Sequence, residues 1–108
     1  MSAPYRFIEV EQRDGNFHAR LRQRQMQEQQ IHELFAELQS LVRDEGCRCL
    51  VLSLENNPEF LYSVFLAKLI TLQRVLTEHG GELRLCHVSP QVHAIFEACK
   101  LERQFTFE

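Results

Sequence analysis

The 108-residue sequence contains no tryptophan, only three prolines and four glycines, and no long uninterrupted apolar run. Its most apolar segment, residues 60–70, is broken by Tyr62, Ser63 and Lys68. That segment falls well short of the roughly 18 residues that a membrane-spanning helix needs. The first residues include no apolar stretch of the kind that directs export. These absences predict a protein without a membrane span that works in the cytoplasm.

Excess charge of one sign is also missing. The net charge is −3, whereas general nucleic-acid binding needs a strongly basic face, so nucleic acid is not an expected partner. No glycine-rich phosphate-binding or dinucleotide motif is present. The five histidines fall in different segments, and none combines with a nucleophile and an acid in a recognisable catalytic arrangement. The sequence therefore predicts a protein that is not an enzyme.

The four cysteines allow two interpretations. Cys47, Cys49 and Cys86, with His87 beside the last, are residue types that bind zinc. However, Cys-x-Cys is not the usual Cys-x₂-Cys spacing, and no second pair with ligand spacing follows. Because nothing indicates secretion, buried reduced thiols are the better account. We predict no metal and no cofactor.

What the sequence does contain is the alternation of a small α/β domain. With 44% hydrophobic and 25% charged residues, the composition is typical of one soluble domain covering residues 1–108. An apolar segment at 48–54 leads through a polar loop into a helical pattern that stops at Gly80-Gly81. A second apolar segment at 83–88 leads into a helix marked by Ser89-Pro90, a strong capping signal. Strand, helix, strand and helix in this order predict parallel strands.

The first half of the chain predicts a β-hairpin and a helix. Segments 5–10 and 17–21 alternate as strands around a turn at 13–16, and a helix runs from Ile31 to Val42 and stops at Gly46. No good capping residue marks its start. We expect a mixed sheet in which the hairpin joins the parallel strands, with helices packed against it. Because the apolar residues of 48–54 do not alternate, that strand is predicted to be central and covered on both faces.

Three segments of the second half resemble a known family. They are the strand Leu50–Leu54 with residues 60–66 after it, Gly80-Gly81 with the strand that follows, and Val88–Phe96. Together they are similar to the STAS domain, the SpoIIAA-like fold of bacterial anti-sigma-factor antagonists. The resemblance covers the whole chain in element order and about half of it in motif.

The resemblance implies a functional site at the start of the helix after the first parallel strand. The family's motif there is Asp-Ser-Ser-Gly or Asp-Ser-Thr-Gly, and its first serine is the phosphoacceptor. This chain has Tyr62, Ser63, Val64 and Phe65 at the aligned positions. Ser63 is therefore the phosphoacceptor candidate, while the other three positions depart from the pattern. The alternative is a Ser63 hydroxyl that bonds locally to the backbone in the first helical turn.

By the same resemblance, the residues around this helix start would contact a protein partner. The candidates are Asn57, Tyr62, Ser63 and Phe65, and the implied partner is an anti-sigma factor or a related kinase-type regulator of transcription. The departures from the motif predict docking that does not depend on the usual phosphorylation switch. Phe65 would lie at the contact if its ring points outward, and in the core if it points inward. The helix itself could start at Asn57-Pro58 or one turn later, near Tyr62.

Two other classes of function stay open. One is a scaffold subunit that self-associates, for example as a homodimer. The other is a sensor that holds a small anionic ligand at the helix N-terminus. Separately, Arg20, Arg22 and Arg24 alternate along one strand, as expected for a solvated strand face or for contact with an acidic partner or phosphate.

Overall fold

The computed structural model describes residues 5–22, 27–54 and 63–108. Within these residues the elements are β1 (Ile8–Arg13), β2 (Asn16–Leu21), α1 (Glu28–Asp44), β3 (Cys49–Ser53), α2 (Ser63–Glu78), β4 (Glu82–Cys86), α3 (Pro90–Ala98) and β5 (Thr106–Phe107). The five strands are adjacent in chain order, with β1 antiparallel to β2 and all other pairs parallel. The predicted mixed sheet, hairpin and parallel strands are confirmed.

The hairpin is tighter than predicted, and β1 lies three residues later in the sequence. Arg13 pairs with Asn16, which leaves Asp14 and Gly15 as the two turn residues. Both have positive φ, 52° and 83°. This is the geometry that two-residue hairpins favour, because its twist matches that of the flanking strands.

All three helices lie on one face of the sheet. Each crossover moves to the next strand in the same direction, and right-handed crossovers then place every helix on the same side. Leu50 and Leu52 of β3 point to this face together with Leu83 and Leu85 of β4, and all four are at most 1% exposed. The core therefore lies between the sheet and the helices.

Aromatic contacts connect the helices within this core. Phe35 of α1 and Phe65 of α2 meet edge to face with ring centroids 5.2 Å apart. Phe96 of α3 meets Phe105 and Phe107 near the C-terminus in similar geometry, each at 5.5 Å. Such pairs add to the stabilisation that burial of the rings provides.

The helix boundaries have local causes. The Ser89 hydroxyl accepts a hydrogen bond from the Val92 amide at 3.2 Å, so the predicted cap of α3 is present. α1 instead begins after Gln27, whose backbone amide donates to the Gln30 side chain at 3.0 Å. A glutamine in this role gives little sequence signal. After α2 the chain must pass close to β3, since a Cβ on Gly81 would lie 1.9 Å from the Arg48 carbonyl oxygen.

The sheet face opposite the helices, here called the open face, carries mostly polar and charged side chains. Val51 points to it from the centre of β3 and is nevertheless 2% exposed. It lies between His18 and Arg84 in register, whose longer side chains stand on the same face. The prediction that this strand is covered on both faces agrees with its burial, because Leu50 to Ser53 are at most 7% exposed. Within the described residues, flanking polar side chains cover one face of β3, and helices cover the other.

Candidate protein-contact site

The predicted site lies at the carboxyl edge of the parallel strands. β3 ends at Ser53 and β4 ends at Cys86, which are paired in register. The Leu54 amide donates to the Cys86 carbonyl at 3.0 Å, so the two strand ends remain joined. α2 begins at Ser63 after the β3 end, and α3 begins at Pro90 after the β4 end. This edge is where parallel α/β sheets generally place their working residues.

Of the predicted contact residues, Asn57 and Tyr62 lie outside the described residues. Ser63 is the first residue of α2, and its side chain also lies outside the described part of the structure. The two predicted helix starts, at Asn57-Pro58 and near Tyr62, both lie outside the described residues, which resume at Ser63. A phosphoacceptor role for Ser63 stays a prediction.

The prediction that Phe65 belongs to the contact surface is corrected. Its side chain is 0% exposed and packs against Phe35. The reason is helical spacing, because Phe65 falls in line with Leu69, Leu72 and Leu76, which are all fully buried on one face of the helix. The family's glycine position is thus occupied here by a core residue.

The opposite side of α2 presents a row of exposed positions. Ala67, Thr71 and Arg74 are exposed, and Val64 and Ile70 beside them are half-buried. Position 63 precedes Ala67 by one helical turn, so its backbone lies at the N-terminal end of this row. The first two positions of this row, Ala67 and Thr71, carry small uncharged side chains, which allow close approach of another surface.

A polar contact between Ser53, Cys86 and His87 at the carboxyl edge was not predicted from the sequence. The Ser53 hydroxyl lies 3.2 Å from Nδ1 of His87, and the Cys86 sulfur lies 3.3 Å from the same nitrogen. His87 has a φ of 56°, which is uncommon for a residue with a Cβ. No glycine or asparagine at this position indicated such a bend.

The four cysteines lie in different environments. Cys47 is buried, Cys49 and Cys86 are half-buried, and Cys99 is exposed, so the predicted burial is correct only for Cys47. Burial raises the pKa of the Cys47 thiol to about 12, and burial also raises the pKa of Cys49. Across the described ranges, no three His, Cys, Asp or Glu side chains come close enough to hold a metal ion.

Comparison with known proteins identifies the family. The sequence model of the STAS domain matches residues 8–108, so the chain belongs to the STAS domain family. A search of the curated proteins found no match. None of the helices in the described part of the chain is long and apolar enough to cross a membrane.

Solved structures support the same fold. An anti-sigma factor antagonist from Mycobacterium paratuberculosis shares 22% identity at a TM-score of 0.77, with 99% of this chain and 89% of that chain covered. Unphosphorylated SpoIIAA, an anti-sigma factor antagonist, shares 16% sequence identity at a TM-score of 0.75, with 94% of this chain and 87% of that chain covered. A variant of RsbS from Moorella thermoacetica shares 16% sequence identity at a TM-score of 0.77, with 94% of this chain and 85% of that chain covered. The chain is thus a STAS domain with the fold of anti-sigma factor antagonists.

Proposed function

We propose that this STAS domain is a cytoplasmic, non-enzymatic module of bacterial signal transduction that binds an anti-sigma factor or a related kinase-type regulator. The family match over residues 8–108 carries the proposal. It is supported by the structural similarity to SpoIIAA and to the Mycobacterium paratuberculosis protein, which are anti-sigma factor antagonists.

The proposed contact surface is the N-terminal end of α2 with the residues before it, including Asn57, Tyr62 and Ser63. The exposed row that begins one turn later with Ala67 supports this surface. Docking there does not depend on phosphorylation, because the aspartate, second hydroxyl and glycine of the family motif are replaced by Tyr62, Val64 and Phe65. Since Phe65 is part of the core, restoring the glycine would disturb folding rather than rebuild the switch.

Two alanines make a matched test. Ala67 on α2 and Ala36 on α1 are both exposed, and each backbone carbonyl accepts a hydroxyl hydrogen bond of 3.1 Å from one turn later in its helix. The tagged protein and its Ala67→Arg and Ala36→Arg variants are used to recover partners from native lysate. We expect an anti-sigma or kinase-type protein to be recovered with the parent and with Ala36→Arg, and to be lost with Ala67→Arg.

Ser63 variants test the switch separately. Partner recovery unchanged in Ser63→Ala and Ser63→Asp, with no phosphate on Ser63 by mass spectrometry, is the expected result. Loss of the partner in Ser63→Asp alone would show that charge at this position still controls docking. Equal recovery with Ala67→Arg and Ala36→Arg would refute the α2 surface, and a stable homodimer with no other protein recovered would favour the scaffold alternative.

A further inference from the structure

The open face contains a pocket of about 390 Å³ over β1, β2 and β3. Val51 and Ser53 form part of its floor, Glu9, His18 and Arg20 form one wall, and His87 lies at the carboxyl end. This volume is at the small end of the range for small-molecule sites, about 300–1,000 Å³. The pocket lies across the sheet from the helices and is separate from the row of exposed residues on α2.

His87 is held in place at the pocket. Its backbone adopts a φ of 56°, a left-handed conformation that is uncommon for a residue with a Cβ. The Ser53 hydroxyl, 3.2 Å from Nδ1, helps to hold the ring, and Ser53 is the one polar residue in the buried class among the residues that the structure describes. When Nδ1 accepts from Ser53, the neutral ring carries its proton on Nε2, which can then donate to a ligand.

The charged side chains around the pocket supply hydrogen-bond donors that an anion could accept from. Glu9 accepts from Arg20 at 2.5 Å and from Arg22 at 3.4 Å, and Glu11 is paired with Arg13 at 3.0 Å. Arg13 and Arg20 line the pocket together with Glu9 and Glu11, so the formal charges of its lining balance, and Arg22 lies outside the lining. The two carboxylates are acceptors already engaged by guanidinium groups, whereas each guanidinium carries five N–H donors and can also donate to a ligand. The imidazole of His18 adds further hydrogen-bonding capacity to the same wall.

We propose that the open-face pocket binds a small organic anion through a phosphate or carboxylate group held by Arg20, His18 and His87. The Arg20–Glu9 pair is no obstacle, because both side chains are about half exposed, 56% and 45%, and exposed ion pairs contribute little to stability. Arg20 can turn part of its planar group to the ligand while the strands stay in place. Ser53 orients His87 and is a positioning residue.

Titration with two simple probes tests the site. ¹⁵N-labelled protein is titrated with sodium phosphate and, separately, with sodium acetate, with sodium chloride adjusted to keep the ionic strength constant. We expect saturable shifts of the His18, Ser53 and His87 amides with an affinity of about millimolar for a probe this small. Amides of α1 should not move. Saturation with one probe alone would identify which of the two acidic groups the pocket prefers.

Two arginines on the open face provide a matched pair. Arg20 lines the pocket, whereas Arg84 lies outside it and pairs with Glu82 and Glu108. Arg20→Gln should weaken binding about tenfold or more, the size expected for a lost charged hydrogen bond. Arg84→Gln removes the same charge from the same face and should change affinity less than about twofold, because exposed charges at a distance are screened.

His87→Asn separates the ring from the backbone. Asparagine tolerates positive φ, so the bend is kept while the imidazole is removed, and binding should weaken by several-fold with an unchanged unfolding midpoint. Shifts that rise linearly without saturation, or equal weakening by Arg20→Gln and Arg84→Gln, would overturn the proposal. Loss of the protein partner in the α2 variants has no bearing on this result, so the two proposals can fail independently.

Discussion

The central strand β3 is buried on both faces of the sheet, but different kinds of side chain bury it on each face. On the helix side, Leu50 and Leu52 are fully buried beneath α1 and α2. On the open side, Val51 and Ser53 are almost as well shielded, at 2% and 7% exposed, although the neighbours of Val51 in register are the polar His18 and Arg84. Burial is therefore similar on both faces, but its stabilising effect is not. Apolar packing stabilises strongly, whereas exposed ion pairs contribute little.

This difference implies that the helix face determines folding, while the open face is tolerant of substitution and can carry binding chemistry. Substitutions on the two sides should therefore differ widely in their effect on the free energy of unfolding. The largest effects should come from the aromatic core, and the smallest from the ion pairs.

Phe65→Ala should cause the largest loss. The ring is fully buried against Phe35, and removing such a ring costs about 3–5 kcal/mol, a large part of the roughly 5–15 kcal/mol that stabilises a typical domain. Urea unfolding followed by circular dichroism measures the change. Lys68→Ala, at a half-buried position of the same helix, is the control and should change stability by less than about 0.5 kcal/mol. A loss below about 1 kcal/mol for Phe65→Ala would contradict a core position for the ring.

Gly81→Ala should come next, because the added Cβ would meet the Arg48 carbonyl at 1.9 Å. That carbonyl also accepts the Glu82 amide at 2.8 Å, so relieving the clash must disturb the start of the β3–β4 pair. We expect a loss of about 1–3 kcal/mol or more. Gly46→Ala is the comparison, since Gly46 has a φ of 72° and open space around it. It should lose only the backbone strain, about 1–2 kcal/mol. Equal losses would mean that the close approach at Gly81 is readily relieved.

Ser89→Ala should have a smaller effect. It removes the hydroxyl that accepts the Val92 amide at 3.2 Å, and loss of such a cap costs about 1 kcal/mol. Ser40→Ala removes a hydroxyl inside α1, where the side chain bonds back to the Ala36 carbonyl. That change should be neutral or slightly stabilising, because alanine is the better helix former. Thermal unfolding of the two variants side by side distinguishes a cap from an ordinary helical serine.

Much of this architecture was predictable because its signals are local. Ser89-Pro90 identified the start of α3. Phe65 was a contact candidate only through the family resemblance, and its spacing to the buried Leu69, Leu72 and Leu76 agrees with the core position that the structure gives it. The candidate site was less accessible to sequence analysis. The family motif could locate Ser63, but nothing in the sequence indicated that His87 would adopt positive φ and lie against Ser53. That contact joins residues 34 positions apart and depends on the register of β3 and β4.

The smallest effect is expected for Glu9→Gln on the open face. Hydrogen bonding to Arg20 and the nearby guanidinium charges hold the pKa of Glu9 below its ordinary value of 4.5. A carboxylate whose folded-state pKa is lowered stabilises the fold above its unfolded pKa and loses that contribution as pH falls through the folded pKa. Because the side chain is exposed, the contribution should be small and screened by salt.

The free energy of unfolding, measured from pH 7 to pH 3, tests this expectation for Glu9→Gln. The variant should be slightly less stable than the parent near pH 7 at low salt, and equally stable at the acidic end and in 1 M salt. Glu78→Gln, at an exposed carboxylate that forms no ion pair with any described residue, should lack this pattern. A Glu9→Gln deficit that persists at low pH or in high salt would show that the open face contributes to folding through packing as well, and the contrast between the two faces would then be smaller than their chemistry implies.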